Sequence, residues 1–263
     1  MKKNNTIITT SHNPPAALIS LAEAVAKETG AVFASRRGRS LAEIAGAYQA
    51  AIVVTVTRQG MTAWSEAGQF TFHPGTAKLR LLACRQGKPD KMGQAMGLQP
   101  GDKVLDCTLG LANDAIVASF LAGPRGAVCG LESETVIASI VRHGLAAYQF
   151  PELPELAEAM RRITVINAEH SVYLAGLPDE SFDVIYFDPM FRTPVKTSPG
   201  MNALRWLTND CPLTPEAIAH AIRVARRRVV MKERNGSTEF DRLGFRAMVG
   251  AKGSRIVYGY IDK

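Results

Sequence analysis

Lys103-Val104-Leu105-Asp106-Cys107-Thr108-Leu109-Gly110-Leu111-Ala112-Asn113-Asp114-Ala115 starts as a short apolar run, turns at one glycine and enters a helical pattern. The reading is a buried strand over 103–107 and a helix over 113–122. Gly110 lets the backbone turn tightly and approach a ligand, and the first turn of the helix offers free N–H groups.

The same alternation continues outward. Residues 127–131 read as a strand and 134–148 as a helix; 163–166 and 182–187 are further strands. A helix over 215–225 and a strand over 228–231 follow, and 245–249 with 254–261 form a closing hairpin. Short apolar strands separated by helical stretches imply βαβ units and a mostly parallel sheet. Upstream, 16–28 has helical spacing, Ile52 to Thr57 is β-branched, and Phe70-Thr71-Phe72 follows the Gly68 turn. The polar stretch Arg85-Gln86-Gly87-Lys88-Pro89-Asp90-Lys91 carries both breakers. The expected division is therefore a small N-terminal α/β domain at 1–90, for substrate recognition, and a larger α/β domain at 91–263.

Strand ends matter because open parallel sheets bind ligands at the carboxyl ends of their strands. The first loop carries Asp106, Thr108, Gly110 and Asp114 and lacks the Gly-x-Gly-x-x-Gly of a pyrophosphate site. Its carboxylates repel phosphate and suit a ligand with a cationic end. The alternative is a plain turn with Asn113 or Asp114 as a cap. The second strand ends at Glu132-Ser133, near the spacing of about 20 residues at which an acid meets ribose hydroxyls. Glu169 follows the third strand and can either accept from an adenine amino group or cap the next helix.

The fourth strand runs into Asp188-Pro189-Met190-Phe191. An aromatic amine is a weak nucleophile because its lone pair is delocalised. Asp188 can accept one N–H and a backbone carbonyl the other, aiming the lone pair. Pro189 contributes no donor there, and Phe191 offers a stacking face for an unpaired base. Lys196 and Arg205, in and beyond a breaker-rich loop, suit phosphates.

With 31 basic and 24 acidic residues the formal charge is +7, which favours a polyanion through phosphate contacts. The cations around Arg223, Arg226, Arg227, Arg228, Lys232 and Arg234 read mostly as a solvated helix end. Four cysteines without a Cys-x-x-Cys pair and five scattered histidines exclude a zinc or disulfide framework, so no metal is expected. No apolar run approaches the roughly 18–20 residues of a membrane helix, and no secretory signal is evident. The expected compartment is cytoplasmic.

The loop at 105–115, Leu131-Glu132, Asp188-Pro189-Met190-Phe191, Lys196, Arg205 and Val229-Val230-Met231-Lys232 together resemble the bacterial small-subunit ribosomal RNA guanine-N2 methyltransferase J family. Phe72-His73-Pro74 is similar to its Gram-positive relatives. The resemblance implies a Rossmann-like class I fold, S-adenosylmethionine as methyl donor, and a guanine exocyclic amine in ribosomal RNA as acceptor, with the small ribosomal subunit as partner. It departs at Ala112, where the family has glycine, around Ile166-Asn167-Ala168-Glu169, and in the N-terminal part. DNA or a small-molecule amine as acceptor stays open, as does a non-catalytic RNA-binding role.

Overall fold

The computed structural model describes residues 5–189, 212–250 and 253–263, which fall into two compact units. The first comprises 5–73 and the segment Thr135–Tyr148. Its elements are β1 (Thr6–Thr10), α1 (Ala16–Thr29), β2 (Val32–Phe33), α2 (Leu41–Tyr48), β3 (Ile52–Thr57), β4 (Gly60–Ser65) and β5 (Gly68–Thr71). The sheet order is β2-β1-β3-β4-β5, with β1 parallel to both neighbours and β3, β4 and β5 an antiparallel meander.

β1 is buried along its whole length. Its threonines are tolerated because their polar atoms find partners: the Thr9 hydroxyl donates to the Ala34 carbonyl at 2.7 Å. Ile7, Ala34, Ile44 and Val53 form the core on one side. A capping box of Ser40 and Glu43 starts α2.

The helix α6 (Thr135–Ala147) belongs to this unit, packing on β4 and α1. Its apolar face is Ile137, Ile140, Val141 and Leu145, and Glu28 of α1 receives both Arg142 and His143. Gly144 allows the closest approach, since a Cβ there would stand 2.3 Å from the Phe72 ring.

The second unit holds Pro74–Glu134 and the described residues from 149 onward. It comprises α3 (Gly75–Arg85), α4 (Lys91–Met96), β6 (Lys103–Asp106), α5 (Asn113–Ala122), β7 (Ala127–Glu132), α7 (Pro154–Arg161), β8 (Ile163–Asn167) and α8 (His170–Gly176). It continues with β9 (Phe182–Phe187), α9 (Pro215–Val224), β10 (Ala225–Arg234), α10 (Glu239–Leu243), β11 (Ala247–Val249) and β12 (Ile256–Asp262). The seven strands lie in the order β11-β12-β10-β9-β6-β7-β8. Six point the same way, and β12 runs against them, pairing antiparallel with both β10 and β11. This is the mostly parallel sheet with a C-terminal hairpin expected from the sequence.

The division between the two compact units falls at His73/Pro74, where the sequence led to an expectation of residue 90. The physical reason is α3, whose Ala77 and Leu81 are fully buried and which packs on α5 of the large sheet. It also makes the first unit discontinuous in sequence, because α6 joins it.

From β6 the chain builds outward through β7 to β8, then returns to lay β9 on the other side of β6. The carboxyl ends of β6 and β9 therefore flank the switch point, where such sheets bind ligands. Leu105, Ile185, Phe187, Val229 and Met231 pack with Ile218, Ala221 and Val224 of α9, fixing those ends. Cys84, Cys107 and Cys129 are free thiols, and no group of metal-ligating side chains occurs among the described residues.

Candidate active site

β6 delivers Asp106, 2% exposed, to the switch point. The Thr108 N–H donates to its carboxylate at 3.0 Å. Burial pushes its pKa up to about 8, against that hydrogen bond and Lys232, and Asp114 and Asp188 push it the same way as burial. The loop then turns through Gly110 at φ 47 and Ala112 at φ 60. Left-handed backbone is costly for alanine and free for glycine, the residue that the resemblance leads one to expect at position 112. The Leu109 N–H donates to the Leu131 carbonyl at 2.9 Å. The Leu109 side chain lies over Gly130 of β7, where a Cβ would meet it at 2.3 Å.

β7 delivers Glu132, also buried. Burial pushes its pKa up to about 7, opposed by the N–H groups of Glu134, Gly110 and Ser133. Neither Asp106 nor Glu132 enters an ion pair with a described residue. Ser133 is exposed beside it, its carbonyl accepting from Asn167 at 3.0 Å. Glu169 caps α8: its carboxylate accepts from the Val172 N–H at 3.0 Å and the Ser171 hydroxyl at 3.2 Å. Of the two roles open to Glu169 in the sequence, the cap is the one seen.

β9 delivers Asp188, half-buried, followed by half-buried Pro189. Two contacts fix Asp188. Its N–H donates to the Thr108 hydroxyl at 2.5 Å, and its Oδ2 accepts from the Lys232 ammonium at 2.7 Å. Burial pushes its pKa up to about 6, with Lys232 opposing and Asp114 reinforcing the rise. Thr108, expected to serve the cofactor loop, thus ties that loop to the end of β9.

Lys232 also donates to Asp114 at 3.0 Å. Asp114 sits in the first turn of α5, accepts from the Tyr186 hydroxyl at 2.7 Å and meets the Arg80 guanidinium. Burial works against its charge, but Lys232 and Arg80 hold its pKa below the usual carboxylate range. Lys232 is raised in turn, as Asp188 and Asp114 outweigh burial. Arg80 donates to both Asp90 oxygens at 2.8 Å. Asp114 is therefore the hub of a charge network whose three side-chain partners, Tyr186, Lys232 and Arg80, come from β9, β10 and α3.

The sequence reading did not single out Arg80 or assign Lys232 a role. The signal for Lys232 was a lysine directly after the buried run Val229-Val230-Met231; Arg80 carries no local signal. A cavity of about 310 Å³ lies beside Arg80, lined also by Cys84, Lys88, Asp90 and Tyr258, and includes none of Asp106, Glu132 or Asp188. Phe191, Lys196 and Arg205 lie outside the described residues.

This arrangement fits a cationic nucleoside ligand. Two buried carboxylates that form no ion pair with a described residue, a left-handed glycine between them and a third carboxylate held at the neighbouring strand end suit a positive charge, a ribose and a reacting group.

The comparisons with known proteins agree. A family model described as "Putative SAM-dependent methyltransferase" matches residues 50–256. The chain is 38% identical over 242 residues to the protein YpiP of Bacillus subtilis, covering 92% of this chain and 94% of that one. It is 31% identical over 153 residues to ribosomal RNA small subunit methyltransferase J of Nitrosococcus oceani, and 33% over 162 residues to that of Coxiella burnetii. Those two alignments span 56% and 60% of this chain, and 58% and 60% of the relatives' lengths. The SAM-dependent methyltransferase NGO1261 of Neisseria gonorrhoeae superposes with a TM-score of 0.65 at 13% identity, covering 97% of this chain and 95% of that one. The chain belongs to the SAM-dependent methyltransferase family, with the class I fold and S-adenosylmethionine as its cofactor.

Proposed function

We propose that the chain methylates an exocyclic base amine in RNA, namely guanine N2 of small-subunit ribosomal RNA. The observation that carries this is Asp188, fixed at the switch point by Lys232 on its side chain and Thr108 on its backbone. The similarity to the ribosomal RNA methyltransferases J supports the acceptor class.

S-adenosylmethionine, when bound, supplies an electrophilic methyl group on a sulfonium. Asp106, with the Thr108–Gly110 turn and the first turn of α5 at Asp114, holds the methionine end. Glu132 accepts from the ribose hydroxyls, with Ser133 and Glu169 at the adjoining strand ends. Asp188 accepts one N–H of the acceptor amine through the carboxylate whose other oxygen Lys232 occupies. Pro189 leaves the neighbouring backbone with carbonyls to offer, and Phe191 stacks the base. Lys196 and Arg205 meet phosphates. Positioning the amine in line with the methyl group supplies most of the rate. The proposed compartment is the cytoplasm, where ribosomal RNA is made and folded.

Asp188→Ala with small-subunit RNA as acceptor tests the role. Loss of one positioned acceptor lowers turnover by about 10²–10³-fold, while cofactor affinity measured by calorimetry changes less than about threefold. Equal loss of binding and turnover would contradict it.

A further inference from the structure

The formal charge of +7 asks where a polyanion meets the chain. The arginines at the end of α9 and along β10 do not answer. Arg223 pairs with Asp179 at 2.6 Å, Arg226 with Asp183 at 3.4 Å, Arg227 with Asp102 at 2.5 Å and Arg228 with Asp262 at 2.5 Å. These cations serve the fold and have their carboxylates.

The N-terminal unit is arranged the opposite way. β1, β2 and β3 are parallel and in register, so the chain leaves all three at one edge of the sheet. Ser11-His12-Asn13 follows β1, Ser35-Arg36-Arg37-Gly38-Arg39 follows β2, and Arg58-Gln59 follows β3. The chain goes from β1 to β2 on one side and then to β3 on the other, a second switch point. Arg36, Arg37, Arg39 and Arg58 enter no ion pair with a described residue.

The turn after β2 is braced by its own arginines. Arg36 Nε donates to the Arg39 carbonyl at 2.7 Å and Arg39 Nη2 to the Ser35 carbonyl at 2.9 Å. The Arg39 guanidinium also lies 5.8 Å from the Tyr48 ring centre. Glu43 is the acid that faces Arg39, but its carboxylate is taken by the Ser40 N–H at 2.6 Å. Arg37, at φ 44, and Arg58 are left exposed.

We propose that this edge grips the sugar–phosphate backbone of the RNA substrate, with Arg37 and Arg58 on phosphates and Arg36 and Arg39 bracing the turn. A planar guanidinium fork matches phosphate oxygens, and an anion here meets cations that no described carboxylate pairs with. The proposal rests on the RNA reading above and locates its backbone grip.

The test uses the full chain and a fluorescein-labelled small-subunit ribosomal RNA transcript, with anisotropy titrations over a series of potassium chloride concentrations. Each of Arg37→Gln and Arg58→Gln lowers the slope of log affinity against log salt by about 1, and the double variant by about 2. Arg125→Gln, at an exposed arginine of the other unit, leaves the slope unchanged, as does every variant the affinity for S-adenosylmethionine. A double variant with the wild-type slope, or Arg125→Gln losing as much, would overturn the grip and leave the RNA reading standing wherever the wild-type protein methylates that RNA. A wild-type chain that does not bind the transcript at all would overturn both.

Discussion

Asp188 and Asp114 share one ammonium, and the competition between them sets how much negative charge Asp188 carries. Lys232 donates to both, at 2.7 and 3.0 Å, while Arg80 and Tyr186 bind Asp114 only. Among the described residues Asp106, Tyr186 and Tyr258 also face this cluster, as does Asp90 through Arg80. Two substitutions should therefore act with opposite sign. Lys232→Met removes the cation that opposes burial, so the pKa of Asp188 rises above about 6 and the acid limb of kcat moves to higher pH. Asp114→Asn removes a neighbouring negative charge, so the limb moves to lower pH. Displacement of both limbs in one direction would show only structural damage. The strand-end positions of Asp106, Glu132 and Asp188 were legible in the sequence because each closes an apolar strand. Lys232 was not, because it sits in a run of cations, and what separates it from Arg226 or Arg228 is which carboxylates lie opposite. Thr108 was expected from the sequence to serve the cofactor loop, but its partner lies across the sheet, so its tie to Asp188 was not legible.

At the scale of elements, α6 shows how a correctly read helix can have an unread partner. Residues 134–148 carry a plain helical pattern, yet nothing local says that the helix packs on β4 and α1. Gly144 is where that packing is tightest. Glycine within a helix usually costs about 1 kcal/mol relative to alanine, so Gly144→Ala would stabilise an isolated helix. Here the added Cβ would stand 2.3 Å from the Phe72 ring, so the expected sign is reversed, with a loss of about 1–3 kcal/mol in a urea unfolding titration. An unchanged or raised midpoint would contradict the close approach. β1 was unread for a related reason. Thr6-Ile7-Ile8-Thr9-Thr10 has no alternation, because a central strand buried on both faces lacks a polar side. α3 and α7 (Pro154–Arg161) also went unassigned, and α3 is the element that moved the boundary to His73/Pro74.

Over the whole molecule, the strand-end acids link stability to pH and to the cofactor. Asp106, Glu132 and Asp188 are raised to about 8, 7 and 6 in the folded chain, above ordinary values near 4. Over that interval the folded state binds more protons than the unfolded one, so their contribution to stability falls as pH rises from about 4 to about 8. Asp114, held low, acts the other way and loses its contribution only in acid, through the ordinary carboxylate range and below it. The cofactor-free protein should thus melt progressively lower from about pH 5 to about pH 8.5. The shift in Tm produced by S-adenosylmethionine should grow over the same range, and Asp106→Asn should flatten both trends. A cofactor-free Tm that rises across that range and is unaffected by Asp106→Asn would contradict the electrostatic account. The strand–helix alternation and the parallel sheet were legible in the sequence because they follow from local patterning. The charge network was not, because it joins α3, α5, β9 and β10.

The most direct measurement is transfer of tritiated methyl from S-adenosylmethionine to small ribosomal subunits and their extracted RNA, comparing material from a strain lacking this gene with wild-type material. The account predicts label in the RNA of the deletion strain alone, recovered as N2-methylguanine after nuclease digestion. Absence of label from both, with the cofactor demonstrably bound, or label recovered on another acceptor, would contradict it.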